Sequence, residues 1–266
     1  MSAECALGVD LPWSESGEAA VAWVDRDGWV SWELCEYPEG LLRLVGEARD
    51  VLVLLDIPLH GMASLGHEHF RPVDRALGRV GMPVRPSSSA SGLGPRLAER
   101  LRREAGLAPE RILEIYPYAI YKVLSYLAGA ERARPMDPEQ YFPALGADVV
   151  THFPLPYKRN SARGTRKEGM EALYGTLADP RIGVKYRRAL PVPGTGLSLK
   201  RCADVYDSVL GAVFGRHLLR GSPWAVVIGD RAARKRGAPC RSVAEPAHGL
   251  APLPQREGRM KWRPSQ

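Results

Sequence analysis

No apolar run in the 266-residue sequence approaches the roughly 18 residues that a membrane-crossing helix requires. The best runs, Val51–Leu55 and Ala225–Ile228, are strand-sized. Cysteine is scarce: Cys5, Cys35, Cys202 and Cys240 share no CxxC spacing, which excludes a zinc knuckle and a disulfide framework. Met1–Ala6 carries no basic residue of the kind that opens a secretory leader, so a reduced, cytoplasmic protein is expected. Several familiar chemistries lack their motif. Ser87-Ser88-Ser89 has no G-x-S-x-G around it, and Gly194-Thr195-Gly196 lacks the Walker spacing and its Lys-Ser/Thr ending. His67-Glu68-His69 looks like a metal pair but has no third ligand at a known spacing. No internal repeat is visible.

What is present is ordinary globular composition, 45% hydrophobic and 25% charged, enough to bury a sizeable core. The net charge of +7 is unevenly placed. Arg231–Gln266 holds nine Lys/Arg against two Asp/Glu, together with five prolines and three glycines. The 28 basic and 28 acidic residues of 1–230 cancel. The chain therefore divides into a neutral body, 1–230, and a basic Pro/Gly-containing tail, 231–266, with the composition of a solvated, poorly ordered segment. A concentrated positive charge of this kind makes DNA or RNA the expected partner.

Along the body, three extended segments come first: Cys5–Asp10, Ala19–Val24 and Gly28–Cys35, with Asp27-Gly28 marking a hairpin between the last two. Leu41, Leu42, Leu44, Val45 and Ala48 fall at helical spacing after Pro38. Val51–Asp56 reads as a strand buried on both faces and stopped by Pro58. Gly94–Ala105 reads as a charged helix, Arg111–Ile115 as a strand and Pro117–Leu127 as a helix. Pro135–Asn160 is proline-rich and irregular, Arg166–Leu177 is helical, and Gly183–Leu199 is a loop. Leu199–Leu219 carries the broadest apolar stripe, and Trp224–Gly229 reads as a closing strand. A β-β-β-α-β opening is not the alternation of a doubly wound nucleotide fold; it points to a mixed sheet flanked by helices.

The acidic residues fall where chemistry could use them. Asp10 ends the first strand and Asp56 the fourth, so parallel neighbouring strands would project both carboxylates at one sheet edge. Glu114 interrupts the apolar run Arg111–Ile115. Asp204 and Asp207, three apart, share a helix face with Gly211, which lets a helix approach a sheet closely. Buried acids at strand ends are costly alone, and a divalent cation would relieve their repulsion. Oxygen ligands without His or Cys favour Mg²⁺ or Mn²⁺, and such ions can activate water for phosphodiester cleavage. Lys158, Arg159, Arg163, Arg166 and Lys167 form a basic cluster suited to gripping phosphates. Asp74-Arg75 reads as a helix-start ion pair or a substrate-orienting pair.

Five short motifs together resemble the DUF429 family of predicted nucleases. They are Gly8-Val9-Asp10, Leu55-Asp56-Ile57-Pro58, Val73-Asp74-Arg75-Ala76-Leu77-Gly78, Leu113-Glu114-Ile115-Tyr116-Pro117 and the Asp204/Asp207 helix. That helix also resembles the last acidic helix of RuvC-type resolvases, and Tyr157-Lys158 resembles a recurrent Tyr-Lys pair of the family. The resemblance implies an RNase H-like α/β fold over 1–230, a five-stranded mixed sheet flanked by helices, with an insertion around 130–199. It implies a metal-dependent nuclease with Asp10, Asp56 and Asp207 as metal ligands and Glu114, Asp204 and Lys158 as further catalytic candidates. Two other readings stand beside it. One is a non-catalytic nucleic-acid-binding or scaffold protein on the same fold. The other is an actin- or sugar-kinase-like ATPase, which Pro12 and Trp13 oppose, because they obstruct close backbone approach to a phosphate after Asp10.

The segregated charge makes a direct prediction. Removing 231–266 is expected to weaken non-specific DNA or RNA binding and to flatten its salt dependence, since the slope counts neutralised phosphates. Binding isotherms at several salt concentrations check this; an unchanged affinity and slope would transfer the role to Lys158–Lys167.

Overall fold

The computed structural model describes residues 5–12, 14–48, 50–59, 92–129, 152, 154–222 and 225. The His67-Glu68-His69, Asp74-Arg75 and Ser87–Ser89 motifs, the expected strand over Trp224–Gly229 (Ala225 apart) and the tail 231–266 lie outside them.

Three antiparallel strands open the chain: β1 (Cys5–Asp10), β2 (Gly17–Asp25) and β3 (Trp29–Tyr37). The β2–β3 turn closes through Gly28 N–H donating to Asp25 O (3.0 Å), with Gly28 at φ +88°. Helix α1 (Glu39–Glu47) buries Leu41 and Val45, four residues apart. Strand β4 (Val51–Leu55) then pairs parallel with β1, Val9 opposite Leu55. Helix α2 (Leu93–Glu104) buries Leu93, Leu97 and Leu101 at the same spacing. Strand β5 (Ile112–Glu114) pairs parallel with β4. Helices α3 (Pro117–Gly129) and α4 (Arg166–Ala178) follow, then a two-residue strand β6 (Lys185–Tyr186) and the long helix α5 (Leu199–Leu219).

Among the described residues the sheet order is β5-β4-β1-β2-β3-β6, six strands of mixed direction. The resemblance implied five. The sixth is recruited to the β3 edge inside a segment read as a loop, Lys185 N–H donating to Gly28 O (2.8 Å) and Arg187 N–H to Val30 O (2.9 Å). Two residues carry no hydrophobic period, so no pattern marked them.

Both faces of the sheet are covered. Leu7, Val9, Val51, Val53, Leu55 and Ile112 pack towards α1 and α2. Ala6, Ala20, Ala22, Leu52, Leu54 and Leu113 pack towards α5, with α3 and α4 outside it. Strand alternation therefore assigns Asp10 and Asp56, two residues beyond Gly8 and Leu54, to the α5 face. α5 itself is buried along most of its length, from Cys202 to Arg216.

That helix lies unusually close to β1. A methyl group at Gly8 would sit 2.0 Å from Ser208 O and 2.4 Å from Ala212 N. One at Gly211 would lie 2.7 Å from Ile115 Cδ1 and 3.1 Å from Gly8 Cα, and one at Gly215 would lie 2.8 Å from Ala6 Cβ. Small residues on both partners allow backbone-to-backbone packing. Because Ser208–Ala212 crosses Gly8 while Gly215 meets Ala6, α5 runs antiparallel to β1, and its Asp207 end comes to the Asp10 end of the strand.

Gly8→Ala is therefore expected to destabilise the fold by about 3 kcal/mol or more, because backbone atoms block the methyl. Gly211→Ala, which meets the movable end of Ile115, should cost less. Urea denaturation of the two variants checks the order; an equal or reversed cost would remove the close-contact explanation.

Candidate metal centre

Asp10, Asp56 and Asp207 converge at one sheet edge. One carboxylate oxygen from each lies within 4.8 Å of the others. Backbone bonding sets the first two: Asp56 N–H donates to Val9 O (2.9 Å), which carries the parallel ladder one step past β4 and places Asp56 beside Asp10. The close packing of α5 on β1 delivers Asp207, only 1% exposed.

A fourth and fifth side chain come from the segment before α4. The buried Tyr157 hydroxyl donates to Asp207 Oδ1. Lys158 Nζ lies 2.7 Å from Asp207 Oδ2 and 3.4 Å from Asp56 Oδ2. Glycine again permits the approach: a methyl at Gly169 would meet Pro156 O at 2.1 Å, so α4 packs directly on the Pro156–Tyr157 backbone. Tyr157 is further held by the rings of Tyr121, edge-on at 5.6 Å, and Tyr118, stacked at 6.5 Å. α4 starts sharply: Thr165 Oγ1 accepts from Glu168 N–H (3.3 Å), and the Glu168 carboxylate accepts from Thr165 N–H (2.7 Å).

The electrostatics follow from crowding. Burial, then the charges of Asp207 and Asp56, hold the Asp10 carboxyl well above the ordinary range. Burial raises Asp56 to about 6, with Asp207 adding to the shift and Lys158 opposing it. Asp207 is raised by burial too, tempered by Lys158 and by the Tyr157 hydrogen bond. Burial pulls Lys158 down, but Asp207, Asp56 and Asp10 outweigh it, so the ammonium stays charged. Burial and the neighbouring carboxylates push the Tyr157 phenol well up, which keeps it a donor.

Two acids expected at the site are placed elsewhere. Glu114 follows Leu113, which packs towards α5, so alternation turns it to the opposite face. There its carboxylate accepts from Leu59 N–H (2.9 Å) and ties down the turn that follows Asp56. It positions the site from behind. Asp204 shares the Asp207 side of α5 but pairs with Lys200 at 2.7 Å, one turn away. It adds negative charge near Asp10 and Asp207 without joining the three. Of the basic cluster, Lys158 enters the site. Arg159, Arg163 and Lys167 are exposed, Arg166 is half-buried with its backbone N–H donating to Asn160 Oδ1 (2.8 Å), and Lys167 lies 3.8 Å from Glu171. The residues 161–164 are a closed turn, Ser161 N–H donating to Gly164 O (2.9 Å). Sequence reasoning gave Tyr157 no role of its own; its place before Lys158, among Pro154 and Pro156, was the available signal.

The donor set fits a hard divalent cation: three carboxylates and no thiolate or imidazole. Buried Asp207 Oδ2 has the Lys158 ammonium as counter-charge and no well-directed hydrogen bond. No protein-family model, curated protein or solved structure matches the chain.

The raised carboxyls set a pH dependence. Asp56, ordinarily at 3.8 and here about 6, favours the fold below its unfolded value and loses that contribution as pH rises through 6. Metal-free protein should thus be penalised by this cluster at pH 7.5. Asp10→Asn removes one repelling charge and should raise the metal-free melting temperature at pH 7.5 by roughly a few degrees. The gain should shrink as pH falls from 7.5 towards 5. Calorimetry of both proteins at these pH values checks it; a lower melting temperature for the variant at pH 7.5 would contradict the repulsion.

Proposed function

We propose that this chain is a divalent-metal-dependent hydrolase of phosphodiester bonds, a nuclease on an RNase H-like fold. The observation that carries the reading is the meeting of Asp10, Asp56 and Asp207 within 4.8 Å, from β1, the end of β4 and α5. The mixed sheet with helices on both faces and the motifs at these three positions support it.

Bound Mg²⁺ or Mn²⁺ would supply an activated water and stabilise charge on the phosphate oxygens. Asp10, Asp56 and Asp207 hold the ion. Tyr157 donates to one Asp207 oxygen and so fixes which oxygen faces the cluster. Glu114 holds the turn behind Asp56, keeping that carboxylate in place. Arg159, Arg163 and Lys167 present exposed positive charge on the segment that carries Lys158 and on the first turn of α4, where they would hold the phosphates of DNA or RNA without reading sequence. Among the described residues no helix is long and apolar enough to cross a membrane. Cys5, Cys35 and Cys202 are free thiols, which suits a reducing, cytoplasmic setting.

The test is cleavage of single- and double-stranded DNA and RNA with Mg²⁺, Mn²⁺ or a chelator. Activity should need the metal, and Asp10→Asn, Asp56→Asn and Asp207→Asn should each lower it by about a hundredfold or more. Glu114→Gln should keep the metal response. Metal-independent cleavage, or full activity in Asp10→Asn, would contradict the proposal.

A further inference from the structure

Among the described residues, Lys158 is the cation that bridges two of the three carboxylates, and one of the oxygens it meets, Asp207 Oδ2, is buried. Its ammonium lies 2.7 Å from Asp207 Oδ2 and 3.4 Å from Asp56 Oδ2. Asp207 Oδ1 accepts from the Tyr157 hydroxyl, whereas buried Oδ2 has no well-directed hydrogen bond and so is the oxygen better placed for a metal ion; it is the one the ammonium covers.

We propose that Lys158 is a tethered cation that stands in for the metal: it offsets part of the cluster's negative charge in the metal-free protein, and a divalent ion binds by displacing it. The inference rests on the reading of Asp10, Asp56 and Asp207 as a metal site and adds how that site is guarded. Charge supports exchange over coexistence. Three ionised carboxylates and one ammonium leave two negative charges, but a dication sharing the same oxygens with the ammonium would place like charges within a few ångströms.

The local structure is built to let the lysine go while the site stays in place. Tyr157 and Lys158 are adjacent, yet they are held very differently. Tyr157 is 1% exposed, locked between Tyr118 and Tyr121, with its backbone pressed on Gly169. The Lys158 side chain is 55% exposed. Turning its four-carbon stem outward would give up the ion pairs with Asp207 and Asp56 and the cation-π contact with Tyr157 (5.9 Å), while the buried Tyr157 ring and its bond to Asp207 persist. Turned outward it would stand beside its exposed chain neighbour Arg159 and within reach of a bound phosphate backbone. The displaced ammonium would gain a phosphate there, so metal and polyanion should favour each other's binding.

Two measurements on the whole chain test this. The first is Mn²⁺ affinity by calorimetry for wild type, Lys158→Met and Lys158→Gln. If the lysine occupies the site in about nine molecules of ten or more, removing it raises apparent affinity about tenfold or more. The second is reductive methylation of wild type with and without Mn²⁺, read by peptide mass spectrometry, with exposed Lys185 as internal reference. Mn²⁺ should raise labelling of Lys158 several-fold relative to Lys185. Binding of Mn²⁺ to the variants alone would also support the proposal, as a lysine that holds the site shut. Unchanged affinity in both variants, or Mn²⁺ binding to wild type with labelling of Lys158 unchanged or reduced, would overturn it while leaving the metal site standing. Failure of Mn²⁺ to bind wild type and both variants would instead overturn the metal site, and this proposal with it.

Discussion

Backbone contact between β1 and α5 governs the rest of the molecule. Gly8 leaves no room for even a methyl group beneath Ser208 and Ala212, and Gly211 and Gly215 continue the contact along Leu54 and Ala6. Such packing fixes the helix in both height and rotation over the strand, since small residues leave few alternative seats. Asp207 lies one turn before Gly211, and Asp10 two residues after Gly8. Their approach follows from the glycine seam. Parallel pairing of β4 with β1 then brings Asp56 alongside.

Bringing three carboxylates together under partial burial is unfavourable unless positive charge accompanies them. The fold supplies one such charge through a second glycine contact, Gly169 on Pro156, which seats Tyr157 and Lys158 against Asp207. The two tight seams have one consequence in common. Rigid packing holds the carboxylates, and a half-exposed lysine provides the counter-charge. Packing and electrostatics are thereby divided between neighbouring residues, Tyr157 buried and Lys158 half-exposed.

Much of this was legible from residue pattern. The meander, the doubly buried strand β4 and the helix over Leu199–Leu219 carry strong periods, and the strand-end positions of Asp10 and Asp56 followed from them. Asp207 was legible as one of two acids, with Asp204, on the helix face that carries Gly211; the resemblance, not the spacing, singled it out. The face of Glu114 was not, because β5 is three residues long and buried on both sides, so its alternation gives no polar-apolar contrast. Asp204 was ambiguous for a related reason: its partner Lys200 sits one turn upstream, and helical spacing alone does not say which acid is neutralised locally. Tyr157 and β6 depend on contacts between residues far apart in the chain, with Asp207 and with β3; for β6 no local pattern encodes them, and for Tyr157 the only local signal was its place before Lys158 among prolines.

The most direct measurement is anomalous diffraction from crystals soaked in Mn²⁺. The expected result is a peak bonded to Asp10, Asp56 and Asp207 at about 2.0–2.2 Å, with the Lys158 side chain turned away from Asp207. No peak among the three acids, with the Lys158 ammonium still seated on Asp207, would contradict a metal centre at this edge of the sheet.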